Sequence, residues 1–259
     1  MATVDRSNEI RTRAADRPTW AIRPGVRFPD WSVIHSPKAE GALGDIFAVL
    51  KIERWWDNVS DIEDRLRCIL LQDYVRHGRA PTLPALAAMA GISEERAREV
   101  LAQLRERDLV VFDAEQDRLS GAYPFTDCDT EHRVLFDGLS VNAMCAIDAL
   151  GAGAMYERDI VVHSRCRACD RSISVEIQAH GTALASYSPQ RAVVWTGLRY
   201  ADNCAASSLC TVMAFFCSDE HLEEWRTANH PDIQGHRLSM EEAHELGMAI
   251  FGPMLRAAS

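Results

Sequence analysis

Little in this sequence suits a membrane or a nucleic acid. The opening stretch, MATVDRSNEIRTRAADRP, carries charge throughout and has no apolar segment, so no secretory leader is expected. The longest weakly polar run, residues 139–156, is broken by Asn142, Asp148 and two glycines, which makes it a poor membrane span. Basic charge is in deficit: 28 Lys and Arg face 38 Asp and Glu, a net charge of -10. Proteins that grip phosphate backbones are basic on the binding face, so nucleic acid is not expected as the main partner, although a local basic patch is compatible with this total. Internal repeats and low-complexity tracts are also missing. Cysteine is not scarce. There are eight, and in the cytoplasm, the expected location, they are thiols or metal ligands rather than structural disulfides. A chain of 259 residues that is 47% hydrophobic can bury a real core in one large or two small domains.

The pattern along the chain predicts an α+β protein in three parts. Residues 1–60 form an irregular extension, because Pro18, Pro24, Pro29 and Pro37 break any long helix. Trp20, Phe28, Trp31, Trp55 and Trp56 are too many large aromatics for a disordered tail, so this arm should pack on a neighbouring surface. Residues 61–126 read as a winged-helix-like domain. Apolar positions at Ile62, Leu66, Ile69, Leu70 and Tyr74 predict a helix over 61–77, and a second follows at 82–90, stopped by Gly91. Ser93 caps a third helix with Ala97, Val100, Leu101 and Leu104 on one face. Runs at 109–112 and 118–122 fit a hairpin wing. The third helix carries Arg96, Arg98, Arg105 and Arg107, but also Glu94, Glu95, Glu99, Glu106 and Asp108. Such mixed charge favours a scaffold over a DNA reader. Residues 127–259 form a mixed α+β core. Strands are expected at 133–136, 159–163, 173–177 and 192–196, and a buried helix at 142–150. Further helices open at Ser218 and at the capping box Ser239-Met240-Glu241-Glu242.

Three cysteine groups hold the candidate chemistry. Cys145 and Asp148, three apart in the expected helix, share a face. Desolvation raises an aspartate pKa and makes it a proton donor near neutral pH. The other reading is an inert core cysteine beside an Asp that pairs with an Arg or caps a backbone group. Cys166 and Cys169, with two residues between them, make half of a tetrahedral zinc site, which Cys204 or a histidine would have to complete. One half-site favours a turn of two reduced thiols slightly over a metal. In the third group, Cys204, Cys210 and Cys217, Cys210 precedes the apolar run 212–216 and is placed to project from a strand start into the interior.

These segments resemble the organomercurial (alkylmercury) lyase family. Residues 141–150, VNAMCAIDAL, resemble its Cys-Ala-Leu-Asp motif. Residues 162–166, VHSRC, resemble the strand and turn that carry a further cysteine. Ser208-Leu209-Cys210 with Phe215-Phe216 resembles the segment of the second catalytic cysteine, and residues 238–247 resemble the C-terminal helix. The likeness runs over about 62–252. It departs at residues 1–60, which exceed the family's short N-terminus, at the added Cys169, and at Thr211, where a second adjacent cysteine can stand. These differences leave room for another thiophilic substrate.

The resemblance implies that Cys145 and Cys210 bind the mercury of an organomercurial and that Asp148 protonates the carbon, with Asp148 also a candidate oxygen ligand. It implies a hydrocarbon and Hg²⁺ held by two thiolates as products, and no required cofactor. Small thiols or a mercuric reductase would accept the Hg²⁺. Cys166 would be structural, with Cys169 beside it in a candidate zinc site. Neither a membrane nor a specific nucleic acid is expected as partner. Two alternatives stand beside this reading: a winged-helix, thiol-based metal-sensing regulator, and a relative of the lyase fold that binds or processes another thiophilic metal compound.

Overall fold

The computed structural model describes residues 17–23, 25–50, 58–113, 115 and 118–256. Trp55 and Trp56 of the expected aromatic arm lie outside these. The chain opens with an antiparallel hairpin, β1 (Trp20–Arg23) and β2 (Val26–Phe28). A single 3-10 turn, Trp31–Val33, leads into α1 (Pro37–Leu50). This helix corrects the expectation of an irregular arm. Pro37 is its first residue, where the fixed φ suits a helix and the missing N–H would be unpaired in any case. Trp20 and Phe28 both pack on Phe47 of α1, with centroids 5.6 and 5.3 Å apart.

Three helices follow: α2 (Asp61–His77), α3 (Leu83–Ala90) and α4 (Glu94–Glu106). Glu63 accepts the Ser60 backbone N–H at the start of α2, and Gly78 ends it in the left-handed conformation. Arg67 on α2 is buried against Asp64 and the Met254 carbonyl, and Arg23 of β1 reaches the same carboxylate, so β1 and the segment at Met254 are both fastened to this helix.

The helices feed into β3 (Val110–Asp113), β4 (Arg118–Ala122), β5 (Phe125–Thr126), β6 (Arg133–Phe136) and β7 (Leu139–Ala143). After α5 (Ala146–Tyr156) come β8 (Ile160–Arg165), β9 (Ser172–Gln178), β10 (Ala183–Ser188) and β11 (Val193–Gly197). A 3-10 turn at Cys210–Val212 runs into β12 (Met213–Phe216), α6 (Asp219–Asn229), β13 (Gly235–Leu238) and α7 (Met240–Phe251). The strands make an antiparallel sheet of eight, ordered β10-β9-β8-β6-β7-β5-β4-β3, and one of three, ordered β12-β11-β13. The fold is mixed α+β. The β3–β4 hairpin is the edge of the large sheet, which continues across residues 126 and 127 through the pairing of β5 with β7.

Helix α5 begins at Ala146, not at Asn142 as expected. Residues 139–143 are held in β7, where Asn142 pairs with Arg133 and Thr126, and ladder bonds on both sides outcompete helix formation. Helices α5 and α7 cross closely at two glycines. A Cβ on Gly151 would stand 2.5 Å from the Gly247 carbonyl oxygen, so the backbones touch where a side chain has no room. No helix among the described residues is long and apolar enough to cross a membrane.

Candidate active site

Cys145 occupies the joint between β7 and α5, and this placement replaces the expected one inside the helix. Its backbone is extended, at φ -152° and ψ 178°, and it is the N-cap. The Asp148 N–H donates to its sulfur at 3.4 Å, so a thiol fills the role usually taken by Ser, Thr, Asp or Asn. Asp148 is the third residue of α5 and is buried, at 4% exposure. Cys210 opens the 3-10 turn that leads into β12, and its N–H donates to the Ala205 carbonyl. Its thiol donates to Asp148 Oδ2 at 3.6 Å, while the Cys145 thiol meets Met213 Sδ at 3.9 Å. The two sulfurs and an Asp148 oxygen all lie within 4.8 Å of one another, in joint reach of one metal ion.

Burial dominates the electrostatics. It pushes the Asp148 carboxyl up to about 7, against the hydrogen bonds from Cys145 and Cys210 that lower it. An aspartate in the first turn of a helix is usually held ionised by the helix dipole, so desolvation has won. Burial likewise raises the Cys145 thiol, with the Asp148 charge acting in the same direction. Cys210 is raised well above its ordinary value, first by its hydrogen bond to Cys145 and then by burial. With no substrate bound, this is a store of protons around two sulfurs. A soft metal electrophile displaces thiol protons, so the store empties when such a metal binds.

The three groups face a pocket of roughly 660 Å³, open solvent at its mouth included. Ile46, Phe47, Leu50, Ile147, Leu209, Met213, Ile250 and Phe251 line it, so α1 and α7 supply much of an apolar wall. An uncharged hydrocarbon group fits such a wall, and the wall keeps bulk water from the carboxyl.

The sequence reading missed Asp108 and Tyr123. Asp108 is buried and pushed up to about 6 by desolvation, against hydrogen bonds donated by the Ala205 N–H and the Tyr123 and Tyr200 hydroxyls. The Tyr123 hydroxyl also accepts the Ala206 N–H. Together they tie the loop before Cys210 to the hairpin edge of the large sheet, and both line the pocket. Asp108 looked like one more charge at the end of a mixed helix. The available signal was its place just past the helix terminus, where it takes a positive φ of 52°.

The sequence model of the alkylmercury lyase family, MerB, matches residues 125–252. An alkylmercury lyase of Staphylococcus epidermidis is 30% identical over 62% of this chain and 70% of its own length. One of Bacillus cereus is 28% identical over 66% of this chain and 73% of its own. The chain belongs to the alkylmercury lyase family. A solved structure, the mercury-bound form of MerB2, aligns with a TM-score of 0.64 at 23% identity, covering 85% of this chain and 100% of that one, which is a likeness of fold.

Within this lyase fold the other cysteines fall into place. Cys166 and Cys169 stand apart from the pocket, on the turn between β8 and β9, and meet Cys217 and His221. Cys204, expected as a candidate partner for them, does not join this group. It lies beside Asp108 and Val110, on the loop that precedes Cys210. All eight cysteines are free thiols.

Proposed function

We propose that Cys145, Asp148 and Cys210 perform the carbon–mercury cleavage of this alkylmercury lyase. The observation that carries the reading is two buried thiols and a carboxyl of raised pKa within 4.8 Å of one another in an apolar pocket. Cys145 first binds R–Hg⁺ and gives up its proton to solvent. Cys210 then passes its proton to the Asp148 carboxylate, along the contact they already make, and its thiolate joins the mercury. Two thiolates push electron density onto the carbon. The C–Hg bond breaks, its electron pair takes the proton from Asp148, and R–H leaves. Mercury remains as Hg²⁺ on two sulfurs, and Asp148 is a carboxylate again. No cofactor enters these steps. Small thiols, or a mercuric reductase, then remove the Hg²⁺ in a reducing cytoplasm.

The segment 61–126 serves in this reading as a winged-helix-like scaffold. Three of its basic residues are engaged locally: Arg96 pairs with Glu99, Arg107 with Glu63, and Arg105 lies over Phe112. Asp108, just past the helix end, faces the pocket instead of solvent. The metal-sensing regulator and the binder of another metal compound both lack a use for a buried acid between two thiols. The test of the function is release of R–H from an organomercurial by the purified chain with excess free thiol. Stoichiometric mercury binding without any hydrocarbon would turn the reading to a binder. Nanomolar, sequence-selective and salt-sensitive DNA binding would revive the regulator.

A further inference from the structure

We propose that Cys166, Cys169, Cys217 and His221 hold a resident tetrahedral Zn²⁺ that pins the large sheet to the small one. Their four ligand atoms lie within 4.8 Å of one another. Zinc bound to thiolates at about 2.3 Å and to imidazole at about 2.0–2.1 Å gives tetrahedral edges of roughly 3.8 Å between sulfurs and roughly 3.6 Å from sulfur to nitrogen. Cys169 Sγ stands 3.6 Å from Cys217 Sγ, and Cys166 Sγ stands 4.0 Å from His221 Nδ1. Cys217 Sγ and His221 Nδ1, at 2.9 Å, share a hydrogen bond instead. Metal entry replaces that proton and opens the edge by roughly 0.7 Å.

The backbone around the four residues is shaped for this ligand set. Cys166 and Asp170 close the turn through the Asp170 N–H to Cys166 carbonyl bond at 2.9 Å and the Cys166 N–H to Arg171 carbonyl bond at 2.8 Å. Cys217 follows β12 directly and His221 lies four residues on, in the first turn of α6, so one short segment presents both ligands to one point. The Arg167 N–H already bonds the Phe215 carbonyl, which fastens the turn to β12. Three thiolates and an imidazole fill a tetrahedron and leave no open position, the arrangement of a structural zinc site and not of a reacting one. The ion would anchor the far end of a short strand whose near end follows the 3-10 turn that Cys210 opens.

The decisive experiment is metal analysis of the full chain purified from zinc-supplemented culture without chelators. About one Zn²⁺ per chain is expected in the wild type and in Cys145→Ser/Cys210→Ser. The content should fall at least tenfold in Cys166→Ser/Cys169→Ser and in His221→Ala. Cobalt loading of the Cys145→Ser/Cys210→Ser chain should give thiolate-to-metal charge-transfer and tetrahedral d–d bands, and removing zinc with a chelator should lower Tm by roughly 10 °C. A zinc-free wild type without tetrahedral cobalt bands overturns the proposal, even if the variants fail to fold. So does a Cys169–Cys217 disulfide in the isolated protein, or zinc that follows Cys145 and Cys210. None of these readouts uses an organomercurial, so a negative result leaves the lyase reading standing.

Discussion

Two thiol clusters in one chain differ in what stands beside the sulfur. At Cys145 and Cys210 the third group is a carboxyl, all three are buried, and an apolar pocket opens on them. At Cys166, Cys169 and Cys217 the remaining group is an imidazole, Cys169 is exposed, and no acid belongs to the set. Mercury and zinc both favour thiolate, so sulfur alone does not separate the roles. The separation comes from three potential ligands with a carboxyl acid among them in one place and four with no acid in the other. An incomplete, proton-rich set can exchange ligands and do chemistry; a complete set holds its ion and braces the fold.

The largest expected break in this comparison is loss of a reacting thiol. Cys210→Ala or Cys145→Ala should lower hydrocarbon release by roughly three orders of magnitude or more, since each removes a thiolate ligand and Cys210 also supplies the proton to Asp148. Single-turnover rates on folded protein measure this. Near-normal release from either variant would end the two-thiolate mechanism. Asp148→Asn comes next, with cleavage expected to fall by roughly two to four orders of magnitude while Hg²⁺ affinity persists through the two sulfurs. If affinity falls together with rate, Asp148 is a metal ligand.

A subtler effect separates an acid kept for chemistry from one kept for stability. The folded Asp148 carboxyl sits at about 7, above the ordinary value of 3.8. Its favourable contribution is therefore complete below pH 3.8 and declines as pH rises to about 7, by at most ~1.4 kcal/mol per unit. Asp148→Asn should accordingly be more stable than wild type at pH 8, with the gain gone near pH 4. Urea midpoints at the two pH values check this, and an Asn variant weaker than wild type at pH 8 would make Asp148 a structural residue. Because the carboxylate accepts the thiol proton first, kcat/KM should fall as pH drops below about 7. A flat profile from pH 5.5 to 8 contradicts that order of proton movement. The smallest effect belongs to the second cluster: Cys166→Ser/Cys169→Ser should lower Tm yet change turnover per folded molecule by less than about threefold. Complete loss of turnover in a well-folded variant would place the pair in the reaction.

Local signals made some of this legible. The strand at 133–136 is where a short β-branched and apolar run puts it, and Ser239 caps α7 with Glu242 reciprocating. The start of α5 was hidden, because 141–150 is a nearly continuous apolar run with no period to separate strand from helix. Cysteine is also not a usual N-cap, so nothing marked Cys145 as the boundary. In the sequence pattern Pro37 counts as a breaker, although at the first position of a helix it is a starter.

The sequence alone determined the residue types of the chemistry and their family: two cysteines and an aspartate in segments that resemble the alkylmercury lyases. It also determined local punctuation, since caps and turn residues act over three or four positions. Tertiary structure decided which cysteine meets which. Cys210 reaches Asp148 across the joint of two sheets, His221 completes the Cys166 and Cys169 pair in place of Cys204, and Asp108 holds the Cys210 loop from another element altogether. The raised Asp148 carboxyl is equally tertiary, because desolvation depends on α1, α7 and the β12 strand closing around it. Spacing along a chain fixes what neighbours can do within a turn or two; long-range partners and buried pKa values depend on packing that brings distant segments together and excludes water.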